Sequence, residues 1–234
     1  MSAVTMTPKQ FVLAVQHAFT PLADASRAQQ MKAYLLDQFE FLGLQAPVRR
    51  TAVKGIGKVQ WQSADDLLTA AELLWQKPQR EYRYTAVDLL RQHSALLSVS
   101  DLPALQSLLL RESWWETVDG LSAVIAEVMH AAVQQNLNAA LTMDAWLKHP
   151  SHWVRRSAML HQLGWRLDTD TTRLFGYATQ LADEKEFFIR KAIGWALRDY
   201  ARWNPQAVTD FLVAHRTRLS GLAVREAAKH LILP

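Results

Sequence analysis

Valine, isoleucine and threonine do not alternate with polar residues along this chain as they do in strands. Leu, Ala, Gln, Glu, Lys and Arg dominate instead, and the arrangement of apolar and polar positions is that of helices. Breakers are few, with eight glycines and eight prolines in 234 residues. Start signals recur. Thr7-Pro8 sets a capping hydroxyl before a proline at the first helical position, Ser63-Ala64-Asp65-Asp66 opens a second helix and Asn204-Pro205 a third. Gly43 suits a helix C-terminus, Pro47 suits the start of the next helix, and the aromatic run around Phe39 and Phe41 reads as core. The pattern predicts about a dozen helices joined by short loops. No linker divides the chain, so 1–234 is expected to form a single domain.

An internal period organises these helices. Arg156-Ser157-Ala158, Arg190-Lys191-Ala192 and Arg225-Glu226-Ala227 share an Arg-x-Ala pattern near a helix start, with Val154, Ile189 and Val224 just before the arginines. Tyr84 and Asp119 fall on the same ladder, with steps of 34 to 37 residues. Two helices and their turns fill that span. Such a unit cannot bury its apolar face alone, so neighbours should stack into a solenoid. The pattern resembles HEAT repeats, whose second helix often carries an arginine near its start. The expected fold is an all-α, right-handed α-solenoid of about six HEAT-like repeats with a concave face. The ladder predicts that Asp119, Arg156 and the start of the helix over 186–202 lie side by side.

Composition narrows the function classes. With no cysteine, disulfides, thiolate metal sites and cysteine nucleophiles are excluded, and a reducing compartment fits. The N-terminus lacks the apolar run of a signal peptide, and no stretch approaches the roughly 20 apolar residues of a membrane span, so a cytoplasmic location is expected. The net charge of +4 permits nucleic-acid binding without requiring it. Nine tryptophans are many for this length; several must be core, and an excess can supply faces for stacking or for binding cations.

The residues that could carry chemistry are few. Trp115 and Asp119 are four apart and share a helix face. Asp119 is either a reactive carboxylate or a ladder residue that caps its helix or pairs with Arg156. Trp195 shares a face with Arg198 and is either core or exposed to a ligand, whereas Arg190 and Arg225 read as structural. Arg49-Arg50 could contact phosphate or form a solvated face. His149 and His152 have no convincing carboxylate partner, and His161 reads as packed. There is no P-loop, dinucleotide glycine motif, His-Glu-x-x-His or nucleophile elbow.

Five segments in order resemble the AlkD family of DNA glycosylases: Phe-Leu-Gly-Leu-Gln-x-Pro-x-Arg-Arg at 41–50, Ser-Trp-Trp-x-x-Val-Asp at 113–119, Trp-x-x-Arg at 153–156, Glu-Phe-Phe-Ile-x-Lys-Ala-Ile-Gly-Trp at 186–195, and Arg-Glu-Ala at 225–227. The resemblance spans roughly the whole chain. It implies a groove that grips duplex DNA and hydrolysis of the N-glycosidic bond of cationic N3- and N7-alkylpurines. No metal, cofactor, obligate protein partner or base-flipping pocket is implied, and a monomer is expected. The catalytic set carried over is Asp119, Trp115, Arg156 and Trp195; the DNA contacts are Tyr34, Gln45, Arg50 and Arg198. One departure is visible, because Gly164 stands where a phosphate-contacting lysine is expected. The competing expectation is a non-catalytic HEAT-like scaffold that binds DNA or protein.

Overall fold

Helices begin where side chains can satisfy their first free amides. Thr7 accepts from the Gln10 N–H at 3.3 Å while the Gln10 side chain accepts from the Thr7 N–H at 2.9 Å, a reciprocal cap in front of Pro8. Ser63 and Asn204 cap their helices in the same sense, as the sequence predicts. The computed structural model describes residues 3–135, 137 and 139–232. Thirteen α-helices occur among them, of the all-α solenoid class expected, together with short 3-10 turns and one two-residue ladder. The chain divides into two compact units, Met1–Leu97 and Ser98–Pro234.

The first unit holds α1 (Pro8–Phe19), α2 (Ala25–Tyr34), α3 (Ala46–Ile56), α4 (Ala64–Trp75) and α5 (Arg80–Gln92), with β1 (Ala3–Val4) paired in parallel to β2 (Lys58–Val59). Helix α1 packs on α3 and α4, and α4 packs on α5. The second unit holds α6 (Leu102–Leu109), α7 (Trp115–Gln134), α8 (Ala140–Trp146), α9 (His152–Leu160), α10 (Thr171–Gln180), α11 (Phe187–Ala201), α12 (Pro205–Ala214) and α13 (Gly221–Ala227). Here α9 packs between α7 and α11, and α13 closes against α11. The buried stripe of α7 shows why: Val118, Leu121, Ser122, Ile125, Met129 and Ala132 recur at three- and four-residue steps and are shielded from water.

The repeat is sharper in the helix starts than in the sequence. Helices α3, α5, α7, α9, α11 and α13 start at 46, 80, 115, 152, 187 and 221, giving steps of 34, 35, 37, 35 and 34 residues. The fifth residue of each is then Arg50, Tyr84, Asp119, Arg156, Lys191 and Arg225. Lys191, not Arg190, is therefore the counterpart of Arg156. Arg190 instead matches Arg155: each sends its guanidinium back to a carbonyl six residues earlier, Glu184 O at 2.9 Å and His149 O at 2.7 Å. Arg190 is structural as expected, whereas Arg225 is exposed.

Gly43 is not a helix end. Helix α2 stops at Tyr34, and Gly43 sits in the following loop with φ +89°. A Cβ there would lie 2.1 Å from the Asp24 carbonyl oxygen, so only glycine fits. The conformation turns three successive amides, those of Leu42, Gly43 and Leu44, onto the fully buried carboxylate of Glu81 at 2.8 to 3.0 Å. Within the aromatic run Phe41 is buried but Phe39 is not; its ring faces the buried Arg80 guanidinium at 3.8 Å.

Candidate functional site

Helix α7 starts at Trp115, with Trp114 as its extended N-cap. The Trp114 ring packs edge-on to Phe188 at 5.5 Å and against Trp153 at 6.0 Å, so the first tryptophan of the pair is packing. Trp115 and Asp119 follow one turn apart, both half-buried. From α9, the fully buried Arg156 presents Nε to Asp119 Oδ1 at 2.7 Å and Nη2 to Asp119 Oδ2 at 2.8 Å. Its Nη1 donates to the Phe188 carbonyl at the start of α11. The side-by-side arrangement of Asp119, Arg156 and the start of α11 is thus as the ladder predicts.

This fork has a chemical consequence. A carboxylate has about four lone-pair positions, and a bidentate guanidinium takes two. Asp119 keeps 23 % of its side chain exposed while Arg156 keeps 1 %. The carboxylate is therefore held rigidly from behind and presents its remaining acceptor positions toward solvent. The pairing and the reactive reading of Asp119 are compatible.

Trp195 lies on α11 beside this pair, half-buried rather than in the core. The Arg156 guanidinium carbon is 5.0 Å from its ring centre and Lys191 Nζ is 5.3 Å from it. The indole Nε1–H donates to Glu226 Oε2 at 3.1 Å. The same carboxylate receives Lys191 Nζ and Arg198 Nη1, each at 2.8 Å. The Lys191 hydrogen bond outweighs burial and, with the charges of Lys191 and Arg198, holds the Glu226 carboxyl below the usual range. Glu226 comes this close because α11 carries Gly194 at the crossing, where a Cβ would lie 2.4 Å from Glu226 Cβ.

The DNA contacts expected from the sequence divide between the units. In the first, Tyr34 ends α2 with 73 % of its surface exposed, and Gln45 is the exposed N-cap residue of α3. Arg50 is exposed on α3, but its Nε and Nη2 engage Asp88 at 3.0 and 3.1 Å. Its neighbour Arg49 is buried and shares Asp88 at 2.8 Å. In the second unit Arg198 is held by Glu226. Gly164 follows α9 with φ +83° and donates its amide to Asp199 at 2.8 Å. A lysine at this position would need a strained left-handed backbone, although space is open around it.

His161 is fully buried, its Nδ1–H donating to the Ala158 carbonyl and its ring against Trp165 and Tyr177, as the packed reading expects. Among the described residues no group of three or more His, Cys, Asp or Glu could hold a metal ion, and no helix is long and apolar enough to cross a membrane. Sequence reasoning missed Glu226 as a partner of Trp195. The available signal was Gly194, a glycine inside a helix one residue before a candidate tryptophan.

The family model described as "DNA alkylation repair enzyme" matches residues 15–231. A solved structure from Enterococcus faecalis, described as a predicted DNA alkylation repair enzyme, is 30 % identical with a TM-score of 0.80, covering 89 % of this chain and 96 % of that one. AlkD2 from Streptococcus mutans shares the fold at 19 % identity and a TM-score of 0.58, over 72 % of this chain and 83 % of its own. The protein smu.31 from Streptococcus mutans UA159 does so at 19 % and 0.59, over 73 % and 86 %. No curated protein matches the chain. The match to the family model covers most of the chain, and it includes every helix from α2 to α13. With the helical repeat and the Asp119–Arg156 pair in place, this chain belongs to the family of DNA alkylation repair enzymes.

Proposed function

We propose that this chain is a DNA glycosylase that excises positively charged N3- and N7-alkylated purines from duplex DNA, bulky adducts included. The observation that supports this reading most directly is Asp119, partly exposed and gripped through both oxygens by a fully buried Arg156 beside the half-buried Trp195. An alkylated purine carries its own positive charge and leaves readily, so no general acid is required. Positive charge then develops on the deoxyribose. Asp119 stabilises that charge and orients or deprotonates the attacking water. Trp115 and Trp195 offer their electron-rich faces to the cationic sugar and nucleotide. Arg156 positions Asp119, to which two of its N–H groups donate while a third holds the Phe188 carbonyl.

In this reading the whole chain, 1–234, serves as one DNA-binding domain, acting as a cytoplasmic monomer without a metal, a cofactor or a base-flipping pocket. Tyr34, Gln45, Arg50 and Arg198 are its contacts to the DNA, Arg50 and Arg198 to backbone phosphate. The test is release of 3-methyladenine and 7-methylguanine from methylated duplex DNA by the wild type and by Asp119→Asn. Wild-type release with nearly complete loss in the variant is expected, with duplex binding retained. Excision by Asp119→Asn at the wild-type rate overturns the assignment of Asp119. Duplex binding with no release by the wild type favours the non-catalytic scaffold instead.

A further inference from the structure

The first unit contains a cavity of about 660 Å³, built without any residue of the Asp119 cluster. That volume is in the range of roughly 300–1,000 Å³ typical of small-molecule sites. Its lining joins two kinds of surface. Phe11 and Trp61 contribute aromatic rings that meet edge to face at 5.4 Å. Helix α3 contributes Arg49, Arg50 and Lys54, and α5 contributes Asp88.

The charges do not balance. Asp88 serves both Arg49 and Arg50. Lys54 is exposed and makes no ion pair among the described residues, so three cations face one carboxylate. Two buried donors are also unanswered: Arg49 Nε and Trp61 Nε1 have no hydrogen-bond partner among the described residues. A buried donor left without an acceptor costs about 1–3 kcal/mol. The Arg49 side chain is only 4 % exposed, and burial outweighs Asp88 in lowering its pKa.

The excess of cations over Asp88 calls for an anionic partner, and the apolar lining calls for one with a flat apolar body. A bare anion leaves the aromatic surface uncovered. An excised alkylpurine leaves as a neutral base, so it leaves the cationic lining unanswered. We infer that this cavity binds a nucleotide unit, its base against Phe11 and Trp61 and its phosphate at Arg50 and Lys54. The unit can come from a free mononucleotide or from an unpaired position in a DNA strand. The site shares Arg50 with the DNA contacts proposed above, but its free-nucleotide readout requires neither duplex binding nor Asp119, so the two readings fail separately.

The experiment titrates the full-length protein into 2-aminopurine probes and follows their fluorescence. The probes are the free deoxynucleoside 5′-monophosphate, the nucleoside without phosphate, and a duplex with 2-aminopurine in a single-nucleotide bulge. Saturable quenching of the free nucleotide identifies a free-nucleotide site; quenching of the bulged duplex alone identifies a strand site. The expected phosphate dependence is at least about ten-fold in affinity, the scale of one charge-assisted contact. Val53→Trp, placed to fill the cavity, should abolish the quenching, and Lys54→Gln should weaken it several-fold. Because Lys54 is exposed, its variant decides the case should Val53→Trp fail to fold. Equal affinity for nucleotide and nucleoside, no quenching of either nucleotide source, or unchanged affinity in Lys54→Gln overturns the inference.

Discussion

Glu226 accepts a hydrogen bond from the indole of Trp195 and is itself fixed by cations one turn of α11 to either side, Lys191 and Arg198. A tryptophan proposed to face a cationic sugar needs a set ring plane, and this carboxylate supplies it. Glu226→Gln keeps the size and one acceptor but loses the charge that holds Lys191 and Arg198. The expected outcome is a several-fold slower excision rate with a stability change of about 1 kcal/mol or less, since these pairs are only partly buried. Single-turnover kinetics beside thermal melting separates the two effects; equal loss in both makes Glu226 merely structural.

Gly194 is the steric counterpart of the same contact. Gly194→Ala puts a methyl 2.4 Å from Glu226 Cβ, and the backbone of α13 at Ala223 O, 3.0 Å away, gives no room on the other side. Overpacking of this kind costs about 1–3 kcal/mol. The variant should melt at lower temperature and show altered tryptophan fluorescence. Unchanged melting would mean that α13 yields without resistance.

The Asp119–Arg156 pair allows fold and chemistry to be separated. Asp119→Ala strands a guanidinium that is 1 % exposed, and breaking a buried pair in this way costs about 3–5 kcal/mol. Asp119→Asn retains one acceptor oxygen, so its cost is expected nearer 1–3 kcal/mol. Both should abolish excision, with chemical denaturation distinguishing them in stability. Trp195→Ala should slow excision more than it destabilises, because the ring is only half-buried.

Arg50 gives a prediction for DNA binding. Its pairing with Asp88 already neutralises part of its charge. Arg50→Ala should weaken duplex binding and reduce the salt slope by less than the roughly 0.9 expected for a whole phosphate contact. Binding isotherms at several salt concentrations measure this, and the ratio between damaged and undamaged duplex should stay constant.

His161 predicts an acid limit to stability. Burial lowers its pKa from 6.5 to about 4, opposed by the Ala158 carbonyl and by Asp144 and Asp170, and assisted by Arg173. The folded state therefore prefers the neutral ring. Stability from this group is complete above about pH 6.5 and is lost as pH falls toward 4, by about 3 kcal/mol at most. Melting curves across this window should fall more steeply for the wild type than for His161→Phe.

Much of this arrangement is legible in the chain. Capping chemistry locates the starts of α1, α4 and α12 because Thr7, Ser63 and Asn204 act on amides within their own first turns. The ladder brings Asp119 to Arg156 because repeat spacing is a local property summed along the sequence. Gly43 and Arg190 read less well. The role of Gly43 depends on Asp24 and Glu81, distant in sequence, and an Arg-x-Ala match cannot tell a residue from its neighbour when Arg155 and Arg156 are both arginine. Glu226 is invisible for a similar reason: only the crossing of α11 and α13 makes it a partner of Trp195.

That crossing also sets a time order during synthesis. A chain grown as far as residue 220 already carries Asp119, Arg156 and Trp195, but lacks the carboxylate that seats the indole. The cluster is finished only when α13 has left the ribosome and docked on α11. Nascent or prematurely ended chains would therefore hold Asp119 beside an unseated tryptophan, a built-in delay before the proposed site is complete.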